Sequence, residues 1–185
     1  MKQIILIRHA KVDNDNSKKI LSKDLQKWVK SYNDAPICKD SNPPEEIVNL
    51  TKNADIVLTS SLKRTKASAD KLSLEVDEKN SLFDEAYIPE VNVPFLKLTP
   101  MWWLFIIRVL SFLNLGKIGL SLEKSKLQAQ KATKILTTLS TKNDKIILFG
   151  HGGMNWLIRK KLLKDGWKLK EKPSNKNWGT AILVK

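Results

Sequence analysis

Three short runs of apolar residues constrain the fold of this chain most strongly. They are QIILI at residues 3–7, ADIVLTSS at 54–61 and KIILF at 145–149. Each run has the length of a strand, and the first and last lack the polar alternation of a half-exposed strand, as expected of strands covered on both faces of a sheet. Because helical patterns separate the runs, we predict a three-layer α/β/α sandwich around a mostly parallel sheet.

The intervening segments predict the helices of this sandwich. Apolar residues recur at helical spacing, and Pro43-Pro44-Glu45 is typical of a helix start. Predicted helices cover about 21–32, 45–50, 63–72, 121–140 and 154–162, and a last strand covers 178–184. With 185 residues, 42% of them hydrophobic, the chain can bury one substantial core. We therefore predict a single domain over residues 1–185.

An insertion at about 84–120 interrupts the strand and helix pattern. Prolines make its first part irregular, and an apolar helix is predicted at 101–115. The stretch 101–120 approaches the roughly 20 residues of a membrane span, but Arg108 and Lys117 count against one. Arg108, Ser111 and Asn114 recur three apart and mark a polar face. We expect a buried or lid helix that covers the functional site.

The charge and the cysteine content limit the possible partners and the cellular compartment of the protein. Lys and Arg number 33 against 19 Asp and Glu, giving a net charge of +14, which favours acidic partners. Because the basic residues are scattered, we expect no nucleic-acid interface. Cys38 is the single cysteine, which fits a reducing compartment, and Arg8 interrupts the N-terminal apolar run before a secretion signal can form. A cytoplasmic protein is expected.

Basic and imidazole side chains follow all three predicted strands. Arg8 and His9 follow the first, Arg64 the second and His151 the third. The carboxyl ends of strands meet at one edge of an α/β sheet, so these residues can converge into an anion pocket. Arginine matches phosphate oxygens, and the backbone N–H groups from Gly152 onward begin a predicted helix, which also favours an anion. A metal site is not favoured, because Cys38 has no ligand spacing.

This pocket would suit phosphoryl transfer. Both histidines of the chain fall in it. A neutral imidazole flanked by arginines is a competent nucleophile, because nearby positive charge disfavours the imidazolium. The arginines would also stabilise the charge on the transferring phosphoryl group. A general acid is still needed, and the residues leave Asp84 and Glu85 open as candidates.

These motifs resemble the histidine phosphatase superfamily, which includes phosphoglycerate mutases, and a small bacterial branch of it. The matching stretches are LIRHA at 6–10, SSLKRTKASA at 60–69, EAYIP at 85–89 and FGHGGMNWLI at 149–158. The resemblance implies a phosphoglycerate mutase-like fold without cofactor or metal. It also implies that His9 is phosphorylated, that Arg8, Arg64 and His151 bind phosphate, and that Glu85 donates the proton.

Three positions depart from the family pattern. Ala10 replaces a glycine, Val12 replaces a threonine, and Asp15 stands where asparagine is common. A carboxylate at Asp15 would weaken phosphate binding if it points inward, unless a one-residue shift brings a neighbouring asparagine into its place. Trp102 and Arg108, together with Asp15, are further candidates for contacts with a substrate.

The first function hypothesis is a phosphoric monoester hydrolase of the histidine acid phosphatase type. Its substrate would be a phosphorylated small molecule or a phosphopeptide. A mutase is less favoured, because the insertion is apolar where a polyanionic substrate needs basic groups. The alternative from another class is a non-catalytic protein that binds a phosphorylated ligand or a membrane. Whether the protein forms a homodimer stays open.

Overall fold

The structure, a computed structural model, describes residues 1–113 and 116–185, and the side chains of all of these except 112 and 116–119. The strands are β1 (Gln3–Arg8), β2 (Ile20–Leu21), β3 (Ile56–Thr59), β4 (Glu78–Lys79), β5 (Lys97–Leu98), β6 (Lys145–Gly150), β7 (Lys168–Leu169) and β8 (Thr180–Val184). The α-helices are α1 (Leu25–Asp34), α2 (Glu45–Thr51), α3 (Lys63–Asp70), α4 (Pro100–Phe112), α5 (Gly116–Leu139) and α6 (Gly152–Lys164).

A six-stranded sheet forms the centre of the molecule, in the order β4-β3-β6-β1-β8-β7. The pairs β4–β3, β3–β6 and β6–β1 are parallel, whereas β8 is antiparallel to both β1 and β7. Arg8 lies opposite Gly150, and Thr59 lies opposite Phe149. The three strands predicted from the apolar runs are therefore neighbours, and they end at the same edge of the sheet. The predicted α/β/α sandwich is confirmed.

Both faces of the sheet are covered by helices. Ile4, Leu6 and Leu148 pack on one face with apolar side chains of α5 and α6. Ile5 and Phe149 point to the other face, where they join side chains of α2 and α3. Because consecutive residues of a strand point to opposite faces, a continuous apolar run is what this arrangement needs.

The insertion contributes a smaller third cluster beside the sandwich. Trp103 and Ile107 of α4 are buried against Leu25 of α1. The indole N–H of Trp103 also donates to the carbonyl of Ile20 at 2.9 Å. Ile20–Leu21 pairs with Lys97–Leu98 as a two-stranded ribbon. These contacts hold α4 in place beside the carboxyl edge of the sheet.

Some predicted boundaries differ from the structure. The helical pattern predicted from residue 21 begins only at Leu25, because Ile20–Leu21 is drawn into the ribbon with β5. Helix α5 begins at Gly116 instead of 121, and the last strand begins at Thr180, after Trp178 adopts a positive φ of 60°. The short strands β4 and β7 have no apolar run and were not predicted. Asn114 and the side chain of Lys117 lie outside the described residues.

The apolar helix α4 is partly exposed. Trp103 is 2% exposed, as expected for core packing, but Trp102 and Phe105 are each 58% exposed. They contact each other edge to face, with ring centroids 5.7 Å apart. Across residues 1–113 and 116–185, no helix is both long enough and apolar enough to cross a membrane.

Candidate active site

Two histidines meet where β1 and β6 end. The N–H of His9 donates to the carbonyl of Gly150 at 3.1 Å, which continues the pairing of the two parallel strands by one residue. The imidazole centroids of His9 and His151 lie 5.2 Å apart. They are 2% and 0% exposed, respectively. The predicted convergence of the strand ends is therefore present in the structure for the two histidines.

Hydrogen bonding leaves one nitrogen of the His9 ring available. Its Nδ1 lies 2.7 Å from the carbonyl oxygen of Ala10, and because a carbonyl can only accept, Nδ1 carries the proton. The lone pair of the neutral ring is then on Nε2. Burial, followed by the charges of His151 and Arg64, lowers the pKa of His9 well below its usual value. The neutral ring is therefore the form present at neutral pH, and burial contributes more to this than the positive neighbours invoked from the sequence.

Ser60 anchors the second imidazole. Its Oγ lies 2.7 Å from Nε2 of His151 and accepts the N–H of Leu62 at 3.1 Å. Nδ1 of His151 is buried and has no hydrogen-bond partner among the described residues. Burial lowers the pKa of His151 well below its usual value, with smaller contributions from the charges of Arg64 and Arg8. Ser60 lies in the SSLKRTKASA stretch, but no role was predicted for it, although its place directly after β3 matches that of His9 after β1.

Arg64 lies in the first turn of α3 and is buried. Its Nη1 donates to Oδ1 of Asn33 at 2.8 Å, and its guanidinium lies over the ring of Tyr32 at 5.1 Å. Its Nε is buried without a partner among the described residues. Helix α1 therefore supplies two side chains that orient Arg64. No sequence motif marks them, because their role depends on how α1 packs against α3.

Arg8 lies on the other side of β6 from Arg64. Its Nη1 donates to the carbonyl of Asn175 at 2.6 Å, and its Nε is buried without a partner in the described part of the chain. A Cβ atom at Gly152 would lie 3.6 Å from this Nε, so the guanidinium rests against the first residue of α6. The positive charges of both arginines contribute to lowering the pKa of His9 and His151.

The two adjacent carboxylates have different partners. Asp84 accepts the N–H of Ser61 at 2.7 Å and its hydroxyl at 2.6 Å, so it fixes the loop after β3. Glu85 accepts the N–H of Met154 at 3.1 Å, in the first turn of α6. Its Oε2 lies 3.5 Å from Nη2 of Arg108. The geometry thus separates a carboxylate that holds a loop from one that lies beside the strand ends.

Gly153 leaves space for side chains where Glu85 meets α6. A Cβ atom at this position would lie 2.5 Å from Oε1 of Glu85, closer than packed atoms approach, and 3.0 Å from Nη2 of Arg108, so these side chains would have to shift. The third glycine of the GHGG motif, Gly153, therefore makes room for this ion pair.

A cavity of about 340 Å³ opens beside these groups. Arg8, Gly152 and Glu85 line it at the edge of the sheet, and Arg108 and Ser111 line it from α4. Two of the three residues of the polar face predicted on this helix, Arg108 and Ser111, therefore line the cavity, and the insertion forms one of its walls.

The other predicted contacts lie elsewhere. Asp15 has an exposed carboxylate that accepts both the N–H and the hydroxyl of Ser17, and these bonds lower its pKa. It does not line the cavity, and neither does Trp102. Val12 is buried and pairs with Ile37 across an isolated bridge. Within residues 1–113 and 116–185, no group of three or more histidine, cysteine or carboxylate side chains is placed to hold a metal ion.

Comparisons with known proteins identify the fold. No protein-family model matches the chain, and no curated protein matches its sequence. Among solved structures, it is similar to the phosphoserine phosphatase of Entamoeba histolytica in complex with phosphoserine (TM-score 0.59, 17% identity, 100% of this chain and 91% of that one). The same enzyme with 3-phosphoglyceric acid gives a TM-score of 0.57 at 18% identity with the same coverage.

A mycobacterial glucosyl-3-phosphoglycerate phosphatase is also similar, with a TM-score of 0.52, 14% identity, and coverage of 89% of this chain and 83% of that one. At these identities the likeness concerns the fold. The fold expected from the motif resemblance is confirmed: the chain has the phosphoglycerate mutase-like fold.

Proposed function

We propose that this protein is a phosphatase that hydrolyses a phosphomonoester through a phosphohistidine on His9. One observation supports this most directly. Nε2 of His9 has no hydrogen bond among the described residues, and three buried nitrogen atoms of the predicted phosphate pocket have no partner there either: Nε of Arg8, Nε of Arg64 and Nδ1 of His151. Buried donors are normally paired, and phosphate oxygens would satisfy all three.

The first half-reaction forms the phosphohistidine. Nε2 of His9 attacks the phosphorus while the bond from phosphorus to the ester oxygen breaks. Protonated Glu85 gives its proton to that oxygen, and the alcohol leaves. In the second half-reaction, water attacks the phosphohistidine and passes a proton to the Glu85 carboxylate. The P–N bond breaks, which releases inorganic phosphate and restores neutral His9 and protonated Glu85.

The site's fixed charges support this reaction. The guanidinium groups of Arg8 and Arg64 would neutralise the equatorial oxygens of the transferring phosphoryl group. Ser60 can donate its hydroxyl proton to Nε2 of His151, and Nδ1 then carries the proton that faces an anion. Since the N–H groups of Gly152 and Gly153 begin α6, the same anion also gains from the helix N-terminus.

A trapping experiment tests the phosphohistidine. Incubation with a labelled aryl phosphate, followed by quenching, should give an acid-labile, alkali-stable phosphoprotein in the wild type and none in His9→Ala. The His9→Ala variant should also lose at least about 100-fold in kcat. Equal rates for the two proteins would rule out His9 as the nucleophile, and Lys164→Ala, a change of an exposed residue at the end of α6, controls for handling.

A second candidate is a non-catalytic protein that binds a phosphorylated ligand and docks on an anionic membrane. The exposed apolar side chains of α4 favour it, together with the net charge of +14. These side chains are Met101, Trp102, Phe105 and Val109, and Leu113, directly after the helix, is exposed as well. Tight binding to anionic liposomes that is lost in Trp102→Gln/Phe105→Gln, with no phosphatase turnover, would favour this candidate over the enzyme.

A further inference from the structure

The walls of the cavity are mainly apolar. It starts at Arg8, Gly152 and Glu85, where the leaving group of a bound phosphomonoester would emerge, and extends between α4, α5 and α6. The apolar side chains that line it are Ile88, Leu104, Ile107, Leu122, Trp156 and Leu157. At about 340 Å³ it is within the range of about 300–1,000 Å³ typical of small-molecule pockets.

The cationic side chains that line the cavity already have partners within the protein. In the described part of its lining, the only cationic side chains are Arg8 and Arg108. Arg8 donates to the carbonyl of Asn175 and belongs to the proposed phosphate site. Arg108 is paired with Glu85 at 3.5 Å. A leaving group with its own carboxylate would therefore have to approach Arg108 directly beside the Glu85 carboxyl group.

Two of the three serine hydroxyls on the described walls also have backbone partners, those of Ser111 and Ser125. The hydroxyl of Ser111 donates to the carbonyl of Ile107 at 2.8 Å. The hydroxyl of Ser125 donates to the carbonyl of Ser121 at 2.9 Å and accepts the N–H of Tyr87 at 3.0 Å. Both protons serve the backbone of their own helix, so these serines have no proton left for a hydroxyl-rich leaving group.

From these observations we propose that the substrate is a phosphate monoester of an apolar alcohol, with an aryl or branched alkyl group of about the size of phenylpropyl. This rests on the proposed phosphatase function, since it assigns the leaving-group side of the same site. Apolar walls favour such a group over a carboxylate or a polyol, because a polar group buried without partners is strongly rejected.

The catalytic test compares esters of primary alcohols, so that leaving-group reactivity differs little. We expect kcat/KM for 3-phenylpropyl phosphate to exceed that for phosphoserine by at least about tenfold. If phosphoserine is the better substrate in a His9-dependent reaction, the substrate proposal is wrong while the phosphatase proposal stands. If no ester is hydrolysed, the phosphatase proposal fails. The preference of the cavity for an apolar group is then decided by the binding of phosphonates.

The binding test needs no turnover. Calorimetry with the wild type should show tighter binding of 3-phenylpropylphosphonate than of 2-amino-3-phosphonopropionate, a carboxylate-bearing phosphonate, by at least about tenfold. Equal binding, or tighter binding of the carboxylate-bearing compound, would overturn the apolar assignment whether or not the protein is an enzyme.

Matched variants on α4 test whether the cavity wall causes the preference for an apolar ligand. Leu104 is half-buried and lines the cavity, whereas its neighbour Phe105 is exposed. Leu104→Asn should weaken 3-phenylpropylphosphonate binding by at least about tenfold, and Phe105→Asn by less than about twofold. Inhibition by inorganic phosphate, which has no leaving group, should change little in either. If Leu104→Asn does not fold, Leu122→Asn on α5 serves as the second wall variant, and equal effects of wall and surface variants would overturn the assignment.

Discussion

Oγ of Ser60 lies 2.7 Å from Nε2 of His151, while the Nδ1 of the same ring is buried without a partner among the described residues. The hydroxyl thus contacts one nitrogen of the His151 ring and leaves the other ring nitrogen for a ligand. Because Ser60 follows β3 and His151 follows the neighbouring β6, this contact joins two strand ends. It makes Ser60 a positioning residue for the proposed phosphate site.

Replacing Ser60 tests this role. In Ser60→Ala, Nε2 of His151 loses its hydroxyl partner, so we expect kcat to fall about 10- to 100-fold, which corresponds to about 1–3 kcal/mol. Nitrogen NMR should show a changed tautomer for His151, and the chain has only two histidines to assign. Ser61→Ala, which removes a hydroxyl bond to Asp84 instead, is the control. An unchanged His151 spectrum in Ser60→Ala would contradict the positioning role.

Burial of the two imidazoles predicts how stability depends on pH. The pKa of both histidines is lowered in the folded state, so the unfolded state binds more protons once the pH falls below about 6.5. Stability is therefore fully present above about pH 6.5 and declines below it, with a slope of up to about 1.4 kcal/mol per pH unit for each histidine.

Urea unfolding between about pH 5.5 and 7.5 measures this slope. His9→Asn and His151→Asn should each lose about half of the slope found for the wild type in this window. Slopes equal to that of the wild type would show that the imidazoles are not buried in the neutral form.

The roles of Glu85 and Asp84 predict different defects. Glu85→Gln cannot give a proton to the leaving oxygen, so kcat for an alkyl phosphate should fall by about 10²- to 10³-fold. The loss should be much smaller for p-nitrophenyl phosphate, whose leaving group needs little protonation. Glu90→Gln, an exposed position in the same insertion, controls for the charge change. Equal losses on both substrates would argue against a proton donor.

Asp84→Asn should mainly affect stability. Asp84 accepts two hydrogen bonds from Ser61, so the amide should cost about 1–3 kcal/mol of the free energy of unfolding. The ratio of kcat values for alkyl and aryl phosphates should stay near that of the wild type. A selective loss on the alkyl ester would instead assign the proton transfer to Asp84.

Asp15 is a position where the sequence departs from the family pattern, and its replacement tests whether that departure affects the site. Its exposed carboxylate bonds with Ser17, so Asp15→Asn should change KM and kcat by less than about twofold. Nδ2 of the neighbouring Asn14 is buried without a partner in the described part of the chain. Asn14→Ala should therefore weaken inhibition by inorganic phosphate more than Asp15→Asn does. The reverse order would place Asp15 at the phosphate after all.

Much of the site could be predicted because it follows from strand order. Arg8 ends the buried strand β1, and His9 and His151 directly follow β1 and β6. Parallel neighbours bring their carboxyl ends together whatever the details of packing. The roles of residues on helices were harder to predict from the sequence. Asn33 and Tyr32 orient Arg64, yet nothing in their sequence surroundings indicates it, because the contact depends on the packing of α1 against α3.

The sequence by itself determined the α/β/α sandwich and the edge of the sheet that carries the candidate site, since apolar run length and strand ends are local properties of the chain. The motif resemblance already favoured Glu85 over Asp84 as the proton donor. Only the tertiary structure shows the different partners of the two carboxylates, the turn of Asp15 towards Ser17 and the place of Arg108 at the cavity. Adjacent residues with the same chemistry differ only in the direction of their side chains. That direction is set by distant partners such as the N–H of Met154, which the order of residues does not reveal.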